Sequence, residues 1–127
     1  MTDTAEELAI MAEAPVFWAR VDPRDPHASP WDQRGFEIGA GWHAIVRNMA
    51  HRIEALGAGV RCHQVKEKFG ILRVYVDRRV DGMAEIIAEA EAASAITCEE
   101  CGQPGTMRRN EWMRTRCHKH RAIRAAM

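Results

Sequence analysis

From Gly41 to Leu56 the large apolar residues return at every third or fourth position, as Trp42, Ile45, Val46, Met49, Ile53 and Leu56. That is the period of one buried helix face, and it predicts a central helix. After Gly57 and Gly59 the period changes. Val60 to Lys68 and Ile71 to Asp77 are two extended runs separated by Phe69-Gly70, and in the second Leu72, Val74 and Val76 alternate with Ile71, Arg73 and Tyr75. This pattern predicts a β-hairpin. Beyond Asp81-Gly82 the helical period resumes through about Ser94, with Met83, Ile86, Ile87, Ala90 and Ala93 marking the buried side and an acidic opposite face.

The amino-terminal part opens with Thr4 and Glu7 in capping-box spacing, which predicts a short helix over Glu6 to Glu13 with Leu8, Met11 and Ala12 on one side. Pro15 bounds it. The segment Asp22 to Pro30 holds three prolines and reads as a loop, flanked by Trp18 and Trp31, aromatics expected to pin it to the core. The chain therefore divides into an acidic helix and Pro-rich loop (1–37), a helix-hairpin-helix core (38–97) and a carboxy-terminal module (98–127) that the last core helix enters without a linker. The fold class expected is α+β, with helices packed on a β-hairpin and one continuous unit rather than independent domains.

The module carries the sharpest chemical signal in the chain. Cys98, Cys101, Cys117 and His120 form a C-x2-C-x15-C-x2-H pattern. Two thiolates two residues apart can reach one metal ion from a tight turn, and Gly102 lets the backbone fold back beneath them. Cys117 and His120 fall where the extended run Trp112 to Arg116 gives way to the helix formers Arg121 to Ala126, and so share one face of a first helical turn. A knuckle, a hairpin turning near Arg109-Asn110-Glu111 and a helix with the last two ligands describe a treble-clef-like zinc module. Four protein ligands leave no open coordination position, so the expected Zn2+ is structural. His118 is a rival fourth ligand, though C-x2-H spacing suits one metal better than adjacent residues do. The competing reading, disulfides or buried thiols, requires an oxidising compartment for the former.

Charge changes the picture only locally, because the whole chain is neutral: residues 1–40 carry three Arg against eight acidic residues, and residues 98–127 carry seven Lys or Arg against three Glu. No apolar run reaches membrane-spanning length, and the start is acidic where a secretion signal would be basic, so a cytoplasmic protein with no membrane partner is expected. Cys62 is read as an unpaired small apolar residue. His43, Arg47 and His51 at i, i+4 and i+8 could form a basic stripe or grip a metal, but two histidines alone make a weak site, and a solvent-facing row is the simpler reading.

At the hairpin tip Lys66, Lys68 and Arg73 interleave with Phe69 and Tyr75, a composition suited to a partner surface or to stacking a base and contacting phosphates. Capping of the hairpin against a helix is the commoner use of such aromatics. In the module, Arg108, Arg109, Arg114, Arg116 and Arg121, together with Lys119 and Arg124, are candidate nucleic-acid contacts on a hairpin and short helix.

The stretch Gln64 to Tyr75, containing Lys66-Glu67-Lys68-Phe69-Gly70-Ile71-Leu72-Arg73-Val74-Tyr75, with Gly41-Trp42 before it and Thr97 to Gly105, Trp112 and Cys117-x2-His120 after it, resembles a family of small uncharacterised proteins of bacteria and their phages. The resemblance spans about residues 38–120 and departs at Ile71, where a second glycine is usual. It implies the zinc module and no particular activity. The phage association implies an accessory factor acting on a host component.

Three classes of function compete. A zinc-stabilised interaction protein, binding a protein partner such as a host defence or transcription component, accounts for a polarised charge distribution and a closed metal site. A nucleic-acid binder using the basic module is the alternative, against which stands a net charge of zero. An enzyme is not expected, because neither an open metal position nor a paired general base is present in the sequence. A homodimer contact through an exposed aromatic face is a further expectation.

Overall fold

The computed structural model describes residues 3–109 and 113–121, with the backbone alone at Arg109. Over these residues the protein is mixed α/β. The first helix, α1 (Ala5–Glu13), starts at Thr4, whose hydroxyl accepts from Glu7 N while the Glu7 carboxylate accepts from Thr4 N, so the capping box forms as its spacing predicts. Its buried side differs from the one expected. Ile10 and Ala14 are inside, Met11 packs against the core, and Leu8 is 53% exposed.

The reason lies on the helix that receives it. The central helix α3 (His43–Glu54), preceded by a 3-10 turn at Ala40–Trp42, buries Trp42, Val46, Met49, Ala50 and Ile53. Of the row His43, Arg47 and His51, only His43 leaves the solvent; Arg47 and His51 stay exposed, and all three meet carboxylates of α1. His43 is buried against Glu6 and Glu7, while Glu13 receives the Arg47 guanidinium and lies 2.8 Å from His51 Nε2. These pairs turn the acidic side of α1 toward α3 and leave Leu8 outward. The two hydrogen bonds from Arg47 and His51 hold the Glu13 carboxyl down, to about 2. Leu56 falls beyond the end of α3, before Gly57 at φ +72°, and is 40% exposed.

The Pro-rich segment runs as turns in which Asp22 and Asp25 accept from backbone N–H groups two residues on, and it contains a helix that the sequence reading omitted. In α2 (Pro30–Arg34) Ser29 and Asp32 cap each other reciprocally and Pro30 occupies the first helical position, where its missing N–H costs nothing. Trp18 and Trp31 pin the segment as expected. Both are at most 1% exposed, with ring centroids 4.9 Å apart, and Trp31 Nε1 donates to Trp18 O at 3.2 Å.

The hairpin forms from β2 (Cys62–Lys68) and β3 (Ile71–Val76), antiparallel with Val65 opposite Val74 and Lys66 opposite Arg73. A two-residue strand, β1 (Phe36–Glu37), pairs parallel to β2 and makes a three-stranded sheet in the order β1-β2-β3. Helix α4 (Met83–Ser94) packs against α3 and β3, with Met83, Ile86, Ile87 and Ala90 buried. Ser94 Oγ accepts from Leu72 N at 3.0 Å, tying the helix end to the strand. Cys62 is buried in this core, which pushes its thiol pKa far up and leaves it an inert apolar residue. Among the described residues no helix is long and apolar enough to cross a membrane.

Candidate metal centre

Past α4 the chain enters a second, two-stranded antiparallel sheet, β4 (Thr106–Arg109) with β5 (Met113–Arg116). The expected hairpin is therefore present. Its turn at 110–111, Trp112 and the helix expected over 121–126 lie outside the described residues apart from Arg121. Before the sheet, residues 98–102 make the tight turn that C-x2-C-G dictates. Gly102 N donates to Cys98 O at 2.9 Å, Cys98 N donates to Gln103 O at 2.8 Å, and Gly102 sits at φ +81°, a conformation open to glycine without strain. Cys117 follows directly on β5, and His120 N donates back to Cys117 O at 3.2 Å, closing a turn that brings the imidazole over the sulfurs.

The four side chains meet at one place. Their donor atoms all lie within 4.8 Å of one another, with Cys101 Sγ to Cys117 Sγ at 3.7 Å, Cys98 Sγ to His120 Nδ1 at 3.6 Å and Cys117 Sγ to His120 Nδ1 at 3.1 Å. A tetrahedron with metal–sulfur bonds of about 2.3 Å has edges of about 3.8 Å, so these separations fit donors around one small ion. His118, exposed on the same turn, is not part of the cluster. Residues 98, 101, 117 and 120 could thus hold a metal ion.

Electrostatics within the cluster are divided. Burial opposes ionisation of Cys98, but backbone N–H groups of Cys117, Cys101 and Glu100 point at its sulfur and the net shift is downward. Cys117 is likewise shifted down: desolvation works against it and the N–H of His120 outweighs it with the neighbouring thiols. Cys101 moves up, since the help of the Gln103 N–H is exceeded by desolvation and by the sulfurs of Cys117 and Cys98. Three thiols crowded without a cation resist full deprotonation, and a bound cation removes that conflict.

The cluster is built into the core rather than appended to it. Glu99, between the first two cysteines, donates its N–H to Thr115 O and accepts Gly41 N at 2.7 Å on its carbonyl and Gly39 N at 2.9 Å on its carboxylate. Both glycines are needed for this approach, since a Cβ on Gly41 would collide with the carbonyl of Cys98 and one on Gly39 with that of Glu99. Trp42 Nε1 donates to Thr97 O at 2.8 Å. Glu99 is itself buried, which raises its carboxyl pKa despite the Gly39 hydrogen bond.

The basic residues of the module divide into two groups. Arg116 is 5% exposed and faces Glu100 at 3.0 Å and Glu99 at 3.8 Å; Arg114 pairs with Glu67 at 3.0 Å. Arg116 is thus buried and Arg114 half-buried, each drawn into an ion pair within the fold. Arg121 is exposed and donates to His118 O, Arg108 is half-buried, and the side chain of Arg109 is outside the described residues. At the hairpin tip Phe69 is 62% exposed, Lys68 is exposed with Nζ 5.7 Å from the Phe69 ring centroid, Lys66 is half-exposed, and Arg73 lies 4.0 Å from Glu91. Phe69 therefore does not cap the hairpin against a helix. The residues that sequence reasoning passed over are Glu99 and Thr115, whose contacts span the chain and leave no local periodicity to find.

Comparison with protein-family models, with curated proteins and with solved structures gave no match to the chain.

Proposed function

We propose that this protein is a metal-stabilised interaction protein, in which Cys98, Cys101, Cys117 and His120 hold a structural Zn2+ in a treble-clef-like module and the fold so braced binds a protein partner. Zinc is chosen by the donor set, since three thiolates and an imidazole around a tetrahedral point suit that ion. When bound, it supplies a crosslink between residues 98–101 and 117–120.

The observation that carries the reading is the clasp between this module and the β2-β3 tip. Thr115 Oγ1 donates to Gly70 O at 2.7 Å, and Arg114 reaches Glu67, whose carboxylate also accepts Gly70 N at 2.6 Å. The metal cluster thus serves to fix a surface hairpin, and its four protein donors leave the ion no position for substrate. Such an arrangement suits recognition rather than catalysis. Binding of nucleic acid by the module is the weaker reading, because Arg114 and Arg116 are drawn into internal pairs. The resemblance to proteins of bacteria and their phages directs us to a cytoplasmic host protein as the partner, for example a defence or transcription component.

The test is a tagged pull-down of the zinc-loaded protein from bacterial lysate, with and without nuclease. A stoichiometric protein that survives nuclease and is lost from the Cys101→Ser variant is the expected result; recovery of nuclease-sensitive nucleic acid alone would overturn it.

A further inference from the structure

Side chains of β2 and β3 alternate between two faces. Val65, Leu72 and Val74 point into the core, at 0%, 0% and 4% exposure. The register places Gln64 opposite Tyr75, Lys66 opposite Arg73 and Lys68 opposite Ile71 on the other face. Tyr75 is 44% exposed, and the face runs into the turn where Phe69 stands at φ +54° and Gly70 at φ +83°. Positive φ at both positions makes this a mirror-image two-residue turn, whose first position favours Asn, Asp or Gly. An aromatic residue there is disfavoured by its backbone and gains little from burial, while the clasp by Thr115 and Glu67 holds it in place.

We propose that this face is the docking surface for an acidic segment of the protein partner, an inference that rests on the protein-partner reading above. Charge complementarity sets the occupant. Lys66 and Lys68 make no ion pair among the described residues, and with Arg73 they set three cations along one hairpin beside two exposed aromatics. A protein fits better than nucleic acid. A strand of phosphates needs a continuous cationic track, and here Glu37 lies beside Lys66 in the sheet, Glu91 sits against Arg73, and Arg114 and Arg116 point inward. A few aromatic and Arg anchors within a mixed polar rim are instead the composition of protein interfaces.

The experiment measures fluorescence anisotropy of a fluorescein-labelled glutamate-tyrosine copolymer, and separately of labelled oligothymidylate, with the full-length zinc-loaded chain. The copolymer is expected to bind, and Lys66→Glu with Lys68→Glu, or Phe69→Ala alone, to weaken it about tenfold or more, the size of an interface anchor. Arg24→Glu, on the exposed Pro-rich segment and outside the β2-β3 hairpin, should leave it unchanged, and zinc content and circular dichroism confirm that each variant is folded. Copolymer binding that is absent, or indifferent to the hairpin variants, overturns the proposal, and so does tighter binding of oligothymidylate lost in the same variants. The lysate partner separates the two levels. If the variants still capture it, the docking surface is wrong and the protein-partner reading stands; if the wild type captures no protein, that reading fails and this one with it.

Discussion

The hydroxyl of Thr115, wholly buried on β5, donates to the carbonyl of Gly70 at the tip of the β2-β3 hairpin, 2.7 Å away and 45 residues earlier in the chain. This bond joins the sheet of the candidate metal centre to the turn that carries the exposed Phe69. Thr115→Val keeps the shape and removes the donor, leaving a buried carbonyl unsatisfied. The expected loss is about 1–3 kcal/mol in urea unfolding, where no change would mean that Gly70 O finds another partner.

Removal of one metal donor acts more broadly. Cys101→Ser should release zinc and open residues 98–121 while α3, α4 and the β2-β3 hairpin remain ordered, because the core has its own apolar contacts. Metal analysis and hydrogen exchange on the same samples check both halves. Full zinc content in the variant would remove Cys101 from the ligand set.

Gly41 tests how closely the knuckle approaches the core. A Cβ there meets the Cys98 and Glu99 backbone, and backbone cannot rotate aside as a side chain can. Gly41→Ala is expected to destabilise by about 2 kcal/mol or more and to weaken zinc retention, whereas Gly57→Ala, with open space around it, costs only its positive φ.

The turn at Phe69 predicts an inverse relation between stability and recognition. Phe69→Asn places a residue that tolerates positive φ at a position where Phe does not, and should raise stability by about 0.5–1 kcal/mol in thermal unfolding. The same change should weaken partner binding. A destabilised Asn variant would show that the ring contributes to the fold itself.

Glu13 sets an acid-side dependence. Its folded pKa of about 2 lies below the ordinary 4.5, so the stabilisation it supplies is present above pH 4.5 and is lost as pH falls toward 2. Glu13→Gln should flatten the stability profile between those values by lowering stability at neutral pH toward its acid level, measured by chemical denaturation across pH. An unaltered acid limb would place the Arg47 and His51 contacts outside the folding equilibrium.

Much of this was legible in the chain and some was not, for identifiable reasons. The helices α3 and α4 and the hairpin announce themselves because one periodic face of each is buried, α1 because Thr4 and Glu7 stand in capping-box spacing, and the Cys and His cluster because its spacing reports local turns. Helix α2 was also readable, from Ser29 and Asp32 around Pro30, but three prolines suggested irregularity first. Strand β1 was not, since two residues carry no period and its pairing with Val65 and Lys66 is a tertiary event. The burial of His43, and the pairing of Arg47 and His51 that stay exposed, were not legible because their partners lie on α1, thirty-odd residues away. Arg116, basic in composition and buried in fact, shows that charge counts locate cations along the chain but not in space.

The separation in sequence between Glu99 and its two seats, Gly39 and Gly41, sets the order of events during synthesis. Synthesis adds both glycines, and Gly70, to the chain before any of the four clustered Cys and His residues. The residues that receive Glu99 and Thr115 therefore precede them in the order of synthesis. Contacts from Glu99 to Gly39 and Gly41, and from Thr115 to Gly70, thus become possible only late in synthesis, when the earlier half of each pair is already in the chain.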